Sequence, residues 1–363
     1  MLTVLSSASA RPNFVKLAAV HHALSKHKDI KHIIVHTGQH YDPLLSDIFF
    51  TQLSIPQPDK NLGVKGANRE EVIDSTMVAM ELALEEYKPD IVLVYGDVNG
   101  AVGAARAAKN KNIRLGHVEA GLRSFDETMP EELNRIEIDQ LADDLFVSEQ
   151  SGLENLEVEG MKGRVHFVGN TMIDTLIRMM PLIDTTLLPE LGMDAEKPFA
   201  ILTLHRPSNV DNREYLLNLV SFLGEVDKKM PIVFPMHPRF YGMITKPDPE
   251  RTTVPLLRIS RPIEPLGYLP FLKLMKSAAF ILTDSGGIQE EAVLLKKRCF
   301  TLRRNTERPS TIKSGSNVLI DPNVLADRQK VLEFAKNPIT SKITIPELWD
   351  GKAGERITAI LCP

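Results

Sequence analysis

Short runs of apolar and β-branched residues alternate with longer amphipathic stretches along the chain. This alternation is typical of βαβ units, in which helices cover a parallel sheet. Several short runs are apolar throughout, as strands buried on both faces require. The first half predicts strands at residues 2–5, 33–36, 91–95, 114–118, 144–147 and 165–168, and helices that include 12–26, 69–86 and 130–141.

The same pattern starts again after a segment that contains proline and acidic residues. Here the predicted strands are residues 199–204, 232–235, 279–283, 298–302 and 318–320. A length of 363 residues also favours two hydrophobic cores. We therefore predict an α/β protein of two doubly wound, Rossmann-like domains, residues 1–170 and 171–350, joined by a hinge near 169–175. Facing domains of this kind bind a ligand in the cleft between them.

Composition narrows the functional classes. The formal net charge of -4 gives no electrostatic reason to expect nucleic acid or an anionic membrane as a partner. Two cysteines, Cys299 and Cys362, argue against a disulfide framework and fit a reducing compartment. The sequence has no evident signal peptide and no apolar run of the ~20 residues that a spanning helix needs. We expect a cytoplasmic protein.

Charged residues in the first half follow predicted strands. A loop of small residues after the first strand leads into a helix that carries Arg11 and Lys16, and Asp97 and Glu119 each follow a strand beside glycines. Because ligands bind at the carboxyl ends of parallel strands, these side chains are candidates for a site. Glu131 lies on the first turn of a predicted helix, where an acid also complements the helix dipole, so a structural role is equally consistent.

The second half repeats the arrangement. The residues that follow its strands are His205, His237, Ser285, Gly286 and Gly287. A glycine turn that opens a helix is an anion-binding element, and Arg308 is a candidate to neutralise phosphate; a structural turn and partly buried histidines are the competing interpretations. No metal-spaced histidine set and no Gly-x-Gly-x-x-Gly fingerprint is present, so neither zinc nor NAD is implied. The residues indicate a two-domain enzyme for a phosphate-bearing ligand, and they leave the reaction open.

Several motifs resemble the non-hydrolysing UDP-N-acetylglucosamine 2-epimerases, a family with the glycosyltransferase-B architecture of two facing Rossmann-like domains. The matching stretches, in family order, are residues 10–16, 36–42, 117–123, 129–135, 169–170, 204–207, 283–291 and 306–309. The resemblance implies an isomerase without metal or nicotinamide cofactor that eliminates UDP across C1–C2 to a 2-acetamidoglucal and adds it back with C2 inverted. It also implies a homodimer and a role in surface-polysaccharide synthesis.

The resemblance carries over to individual positions of this sequence. The residues similar to the catalytic set of the family are Asp97, Glu119, Glu131 and His205. Those similar to its substrate-binding set are Arg11, Lys16, Leu266, Phe271, Ser285, Gly286, Gly287, Glu291 and Arg308. Within that set, Glu291 matches the ribose-binding acid, Phe271 an aromatic near uracil, and Leu266 a backbone contact. The C-terminal helix of the family returns to the first domain, which implies the same for residues 351–363.

Three departures from the family pattern bear on the function. Residues 98–101 read Val-Asn-Gly-Ala where the family usually has Thr-Asn-Ser-Thr, so hydroxyl groups near the sugar are expected to be missing. Ser9 stands where glycine is common. The stretch at 40–42 differs from the type that accompanies an allosteric UDP-N-acetylglucosamine site, and we expect allosteric activation to be weak or absent.

Four alternatives remain open from the sequence. A hydrolysing epimerase would release free N-acetylmannosamine and UDP. A 2-epimerase of a modified substrate would act on a UDP-linked diacetamido uronic acid. A glycosyltransferase of the same architecture would need an acceptor and typically one base, against which the three acids argue. A sugar-nucleotide binding protein without activity is disfavoured because the principal acids and His205 are intact.

Overall fold

A computed structural model describes residues 1–38, 50–183, 194, 197–236, 240, 259, 261–339 and 342–362. The chain divides into two compact units. Unit 1 comprises residues 1–181 and 346–363, and unit 2 comprises residues 182–345. Each unit is built around one parallel sheet with helices on its faces.

The sheet of unit 1 contains seven strands among the described residues, in the order β3-β2-β1-β4-β5-β6-β7. They are β1 Leu2–Ala8, β2 Ile30–His36, β3 Lys60–Asn61, β4 Ile91–Tyr95, β5 Arg114–Ala120, β6 Asp144–Val147 and β7 Arg164–Phe167. Its helices are α1 Arg11–Leu24, α2 Arg69–Tyr87, α3 Asn99–Asn110, α4 Pro130–Leu141, α5 Gln150–Val158 and α6 Thr171–Met179, which a 3₁₀ turn at Met180–Leu182 follows. All paired strands are parallel.

Unit 2 has a six-stranded parallel sheet in its described part, in the order β10-β9-β8-β11-β12-β13. Its strands are β8 Ala200–Thr203, β9 Ile232–Pro235, β10 Arg261–Ile263, β11 Phe280–Thr283, β12 Arg298–Thr301 and β13 Asn317–Leu319. Its helices are α7 Pro207–Val210, α8 Arg213–Asp227, α9 Tyr268–Ser277, α10 Gly286–Leu294, α11 Pro309–Lys313 and α12 Leu325–Lys336. Separate buried apolar clusters form the cores of the two units.

The strand orders place a topological switch point in each sheet. In unit 1 the chain order reverses between β1 and β4, and in unit 2 between β8 and β11. Loops at such a point diverge to opposite faces and leave a crevice at the carboxyl ends of the strands, where open α/β sheets bind ligands. The residues that follow these strands are therefore the strongest candidates for a site.

The last helix, α13 Ala353–Leu361, packs on α1 within unit 1. A Cβ on Gly354 would lie 2.4 Å from the carbonyl oxygen of Ala19, so the two backbones touch where only glycine fits. Arg356 Nη1 donates to the carbonyl oxygen of Val168 at 3.0 Å. These contacts attach the C-terminal segment to α1 and to the residue that follows β7.

The predicted α/β class with parallel sheets is confirmed, and every strand predicted from the pattern has a counterpart. The pattern missed β3 and β10, which have two and three residues and lie at sheet edges. Strands this short carry no readable apolar periodicity. The strand β5 extends beyond the predicted residue 118 to Ala120, so Glu119 lies within the strand and not after it.

Candidate active site

Asp97 lies just beyond β4 at the switch point of unit 1 and contacts helix α4. Its carboxylate Oδ2 is 2.5 Å from Nη2 of Arg135, a side chain that is 2% exposed. Asn134, on the same helix, donates from Nδ2 to the backbone oxygen of Asp97 at 2.8 Å. Helix α4 therefore fixes both the main chain and the side chain of Asp97, and the arginine favours the charged carboxylate.

Glu132 forms a second ion pair with Arg135. Its Oε2 lies 2.6 Å from Nη1 of Arg135, and the backbone N–H groups of Ser124 and Phe125 donate to the same carboxylate. A buried arginine needs such compensation, because an unpaired charge in the interior is costly. Neither Glu132 nor Arg135 is among the site residues predicted from the sequence; their spacing on one helix was the available signal.

Glu119 is held in an unusual backbone conformation. Its φ is +78°, and the pairing of β5 with β6 shifts register between Val118 and Ala120. A non-glycine residue with this φ is strained, and such residues cluster at functional sites. Glu119 Oε2 lies 2.7 Å from Nζ of Lys16, and both side chains are almost fully buried. The bulge thus aims the carboxylate at the first turns of α1.

Gly96 is the point where these groups converge. A Cβ on Gly96 would lie 2.7 Å from Lys16 Nζ and 3.8 Å from Glu119 Oε1, and its φ is +64°. His117 Nε2 donates to the Gly96 carbonyl oxygen at 3.0 Å, and its Nδ1 lies 2.6 Å from Asp139 Oδ1. Only glycine fits here, so the lysine and the carboxylate can approach the turn that carries Asp97.

A hydroxyl group occupies the space beside Gly100, at the beginning of α3. A Cβ on Gly100 would lie 2.2 Å from Ser9 Oγ, and Thr37 Oγ1 donates to Ser9 Oγ at 2.8 Å. Ser9 therefore fills the volume that a side chain at position 100 would take. The loop after β1 thus places one hydroxyl group beside position 100, and the expectation that hydroxyl groups near the sugar are missing stays a prediction.

The two remaining candidates of unit 1 lie at helix N-termini. Glu131 is in the first turn of α4 and partly exposed, and its carboxylate forms no hydrogen bond or ion pair with another described side chain. Arg11 is the first residue of α1. The Glu131 carboxyl therefore lies one turn before Arg135, the residue of α4 that forms an ion pair with Asp97.

In unit 2, the predicted glycine turn forms the N-terminus of α10. Ser285 is the N-cap, and its N–H donates to Thr283 Oγ1 at 3.0 Å; Gly286 and Gly287 form the first turn. A Cβ on Gly286 would lie 2.4 Å from Nη1 of Arg308. The guanidinium therefore stacks directly on the turn, where it adds positive charge to free backbone N–H groups.

Two further arginines share Glu307 with Arg308, and neither is among the site residues predicted from the sequence. Arg303 Nη2 is 2.8 Å from Glu307 Oε2, and Arg206 Nη2 is 3.6 Å from Glu307 Oε1. Arg308 itself pairs with Glu307 and, through Nε at 3.1 Å, with Glu290. The two carboxylates balance part of the charge of the three guanidinium groups. The signal available in the sequence was the run of arginines on both sides of residue 307.

Glu291 is buried inside α10, nearly two turns from Ser285. Burial raises the pKa of the Glu291 carboxyl to about 7, and the neighbouring Glu290 acts in the same direction. The hydroxyl of Tyr268 donates to Glu291 Oε1 at 2.9 Å. Tyr268 begins α9, whose first turn also carries the partly buried Phe271, and Leu266 precedes that helix.

His205 follows β8 and meets the residue that follows β11. Its Nδ1 lies 2.9 Å from Oδ1 of Asp284, and its backbone N–H donates to the same carboxylate. Asp284 is fully buried and was noticed in the sequence only as part of the glycine-turn motif. His237 lies outside the described residues, as does the 40–42 stretch.

The structure thus brings some of the candidates together within each unit. In unit 1, Lys16 and Glu119 form an ion pair beside Gly96, the residue before Asp97. In unit 2, His205 contacts Asp284, which precedes the glycine turn, and Arg308 contacts Gly286 in that turn. In the described part of the chain, no three His, Cys, Asp or Glu side chains are arranged to hold a metal ion. Across those same residues, no helix is long and apolar enough to cross a membrane.

Two doubly wound parallel sheets, each with polar residues at its switch point, define an α/β protein of the glycosyltransferase-B class. The sequence profile of the UDP-N-acetylglucosamine 2-epimerase family matches residues 22–362. The chain belongs to this family.

Individual relatives agree over nearly the whole length. UDP-N-acetylglucosamine 2-epimerase of Methanocaldococcus jannaschii is 38% identical over 97% of this chain and 96% of its own. UDP-2,3-diacetamido-2,3-dideoxy-D-glucuronate 2-epimerase of Pseudomonas aeruginosa is 36% identical over 94% of both chains. The crystal structure of the M. jannaschii UDP-GlcNAc 2-epimerase with UDP-GlcNAc and UDP matches with a TM-score of 0.88, 36% identity and 99% coverage of both chains.

Proposed function

We propose that this protein interconverts UDP-N-acetylglucosamine and UDP-N-acetylmannosamine without net hydrolysis. The observation that carries the proposal is a pair of carboxylates next to Gly96. Asp97 forms an ion pair with Arg135, and Glu119 forms one with Lys16. Inversion at C2 needs one group to remove a proton and another to return it from the opposite face, and carboxyl groups at one edge of the sheet suit that task.

In the proposed reaction, a carboxylate of unit 1 takes the C2 proton while the C1–O bond to UDP breaks. The electron pair of the C–H bond forms the C1=C2 double bond of 2-acetamidoglucal, and the electron pair of the C1–O bond leaves with the β-phosphate. A second carboxyl group then delivers a proton to the other face of C2 as the UDP oxygen adds back to C1. Asp97, Glu119 and Glu131 are the proposed acids and bases.

Unit 2 is proposed to hold the UDP part. The N-terminus of α10, with Ser285, Gly286 and Gly287, would bind the diphosphate together with Arg308 and His205. Glu291 would accept hydrogen bonds from the ribose hydroxyl groups, and Phe271 and the backbone of Leu266 would contact the uracil. Arg11 and Lys16 would contact the substrate from unit 1. A detached UDP must stay bound for re-addition, and the N-terminus of α10 together with Arg308 supports its retention.

The test is incubation with UDP-N-acetylglucosamine in heavy water, with C2 followed by NMR. Deuterium at C2 in a sugar that is still linked to UDP is the expected result. Free N-acetylmannosamine with UDP would instead identify a hydrolysing enzyme. Incubation with UDP-2,3-diacetamido-2,3-dideoxy-D-glucuronate in parallel addresses the substrate of the P. aeruginosa relative, and exchange there alone would replace the proposed substrate.

The proposal extends to the assembly of the protein as a homodimer, as the family resemblance implies. Light scattering coupled to size-exclusion chromatography measures this directly, since one chain has a mass of 40.5 kDa. A mass of twice this value is expected, and a value of one chain at working concentrations would contradict it.

A further inference from the structure

The Asp284 carboxylate is buried between two loops of the unit 2 switch point. It accepts from the backbone N–H of His205 at 3.0 Å, from that of Arg206 at 2.9 Å and from Nδ2 of Asn209 at 3.2 Å. Its other oxygen faces Nδ1 of His205 at 2.9 Å. The backbone N–H donors alone would satisfy a carboxylate with a purely structural role in the turn. The contact with the His205 imidazole goes beyond that role.

The charge of Asp284 determines how the imidazole is protonated. Burial by itself would raise the pKa of the Asp284 carboxyl, but the hydrogen bonds and the charge interaction with His205, together with the backbone donors, bring it below its usual value. An ionised carboxylate only accepts hydrogen bonds. The His205 Nδ1 must therefore carry the proton that faces Asp284, and in a neutral imidazole Nε2 is then the nitrogen that can accept a proton.

Asp284 also ties His205 to the glycine turn. Its backbone oxygen accepts from Nε of Arg206 at 3.0 Å, and Oγ1 of Thr203 and Oγ1 of Thr283, the last residues of β8 and β11, lie 2.6 Å apart. The next residue in the chain is Ser285, the N-cap of α10. A single residue thus joins the loop after β8 to the proposed diphosphate turn, through both its main chain and its side chain.

We propose that Asp284 is a positioning residue for the reaction, which orients His205, keeps its proton on Nδ1 and so presents Nε2 to the diphosphate of the bound nucleotide. This inference rests on the proposed function, in which His205 acts beside the leaving UDP. When the imidazole takes up a second proton, the carboxylate balances the positive charge, and Nε2–H can donate to the β-phosphate oxygen that receives the electron pair of the C1–O bond.

The first test reads the imidazole without turnover. In the full chain labelled with ¹⁵N-histidine, His205 is assigned by comparison with His205→Gln, and its protonated nitrogen is identified by NMR. The expected result is Nδ1–H in the wild type and a change of tautomer or chemical shift in Asp284→Asn, whose amide can offer an N–H to the ring. A proton on Nε2 in the wild type would overturn the proposal, whether or not the substrate is the one proposed.

The second test is a double-mutant cycle on kcat. Asp284→Asn is expected to lower kcat by about 10²-fold, with a shifted pH profile, and to add almost nothing in the His205→Gln background, because both changes remove the same function. Asp211→Asn, an exposed aspartate at the end of α7, is the matched control and should behave as the wild type. Losses that multiply would show that Asp284 acts independently of His205 and would contradict the inference.

Discussion

Asp97 Oδ2 and Arg135 Nη2 lie 2.5 Å apart, and the second guanidinium nitrogen of Arg135 is held by the buried Glu132. The ion pair joins the end of β4 to helix α4 across 38 positions of sequence. It fixes the direction of the Asp97 carboxylate and favours its charged form, which a group that accepts a proton requires before the reaction begins.

This relationship predicts the behaviour of Arg135 variants. Arg135→Lys keeps the charge but loses the pair of guanidinium nitrogens that contact Asp97 and Glu132 at the same time. We expect kcat to fall by about 10²-fold and the Kd for UDP to stay near that of the wild type. Steady-state kinetics and calorimetry measure the two quantities. Arg164→Lys is a matched control, since Arg164 pairs with Asp144 and its side chain is 61% exposed. Equal losses in kcat and in UDP affinity would point to a disturbed fold.

The contact between Ser9 and Gly100 predicts that the serine and the glycine can be swapped between the two positions. Gly100→Ser would force a side chain into the volume of the Ser9 hydroxyl and should lower the free energy of unfolding by about 1–3 kcal/mol. The double variant Ser9→Gly, Gly100→Ser returns one hydroxyl to the same space and should recover most of the loss. Urea unfolding of the two single variants and the double variant completes the cycle. Strict additivity would show that the two positions do not share this space.

Glu291 predicts a pH dependence of UDP binding. Its pKa is raised to about 7, so below that pH the free protein carries a proton on the carboxyl that is proposed to accept the ribose hydroxyl groups. Binding must then release a proton, and affinity should weaken as pH falls through about 7. Because phosphate groups also protonate near pH ~6, calorimetry between pH 5.5 and 8 should compare the wild type with Glu291→Gln, which lacks the step. Identical pH profiles would remove Glu291 from the ribose site.

The sequence predicts the sheets well because their strands are apolar on both faces, as in Ile91–Tyr95, and because a parallel sheet places polar residues at strand ends. It also identifies Asp97 and His205 as candidates. It does not reveal what holds them, since Arg135 and Asp284 are 38 and 79 positions away and meet them only through the topology. The left-handed backbone at Glu119 and the close contact between Ser9 and Gly100 likewise arise from tertiary packing.

The most direct test of the account is Asp97→Asn, with kcat and the Kd for UDP measured on the same preparation. The variant keeps the size of the side chain and removes its capacity to take a proton. The account predicts a loss of about 10²- to 10⁴-fold in kcat with UDP affinity almost unchanged, since unit 2 is proposed to bind the nucleotide. A proportional loss of both, or full activity, would contradict a role for Asp97 in proton transfer.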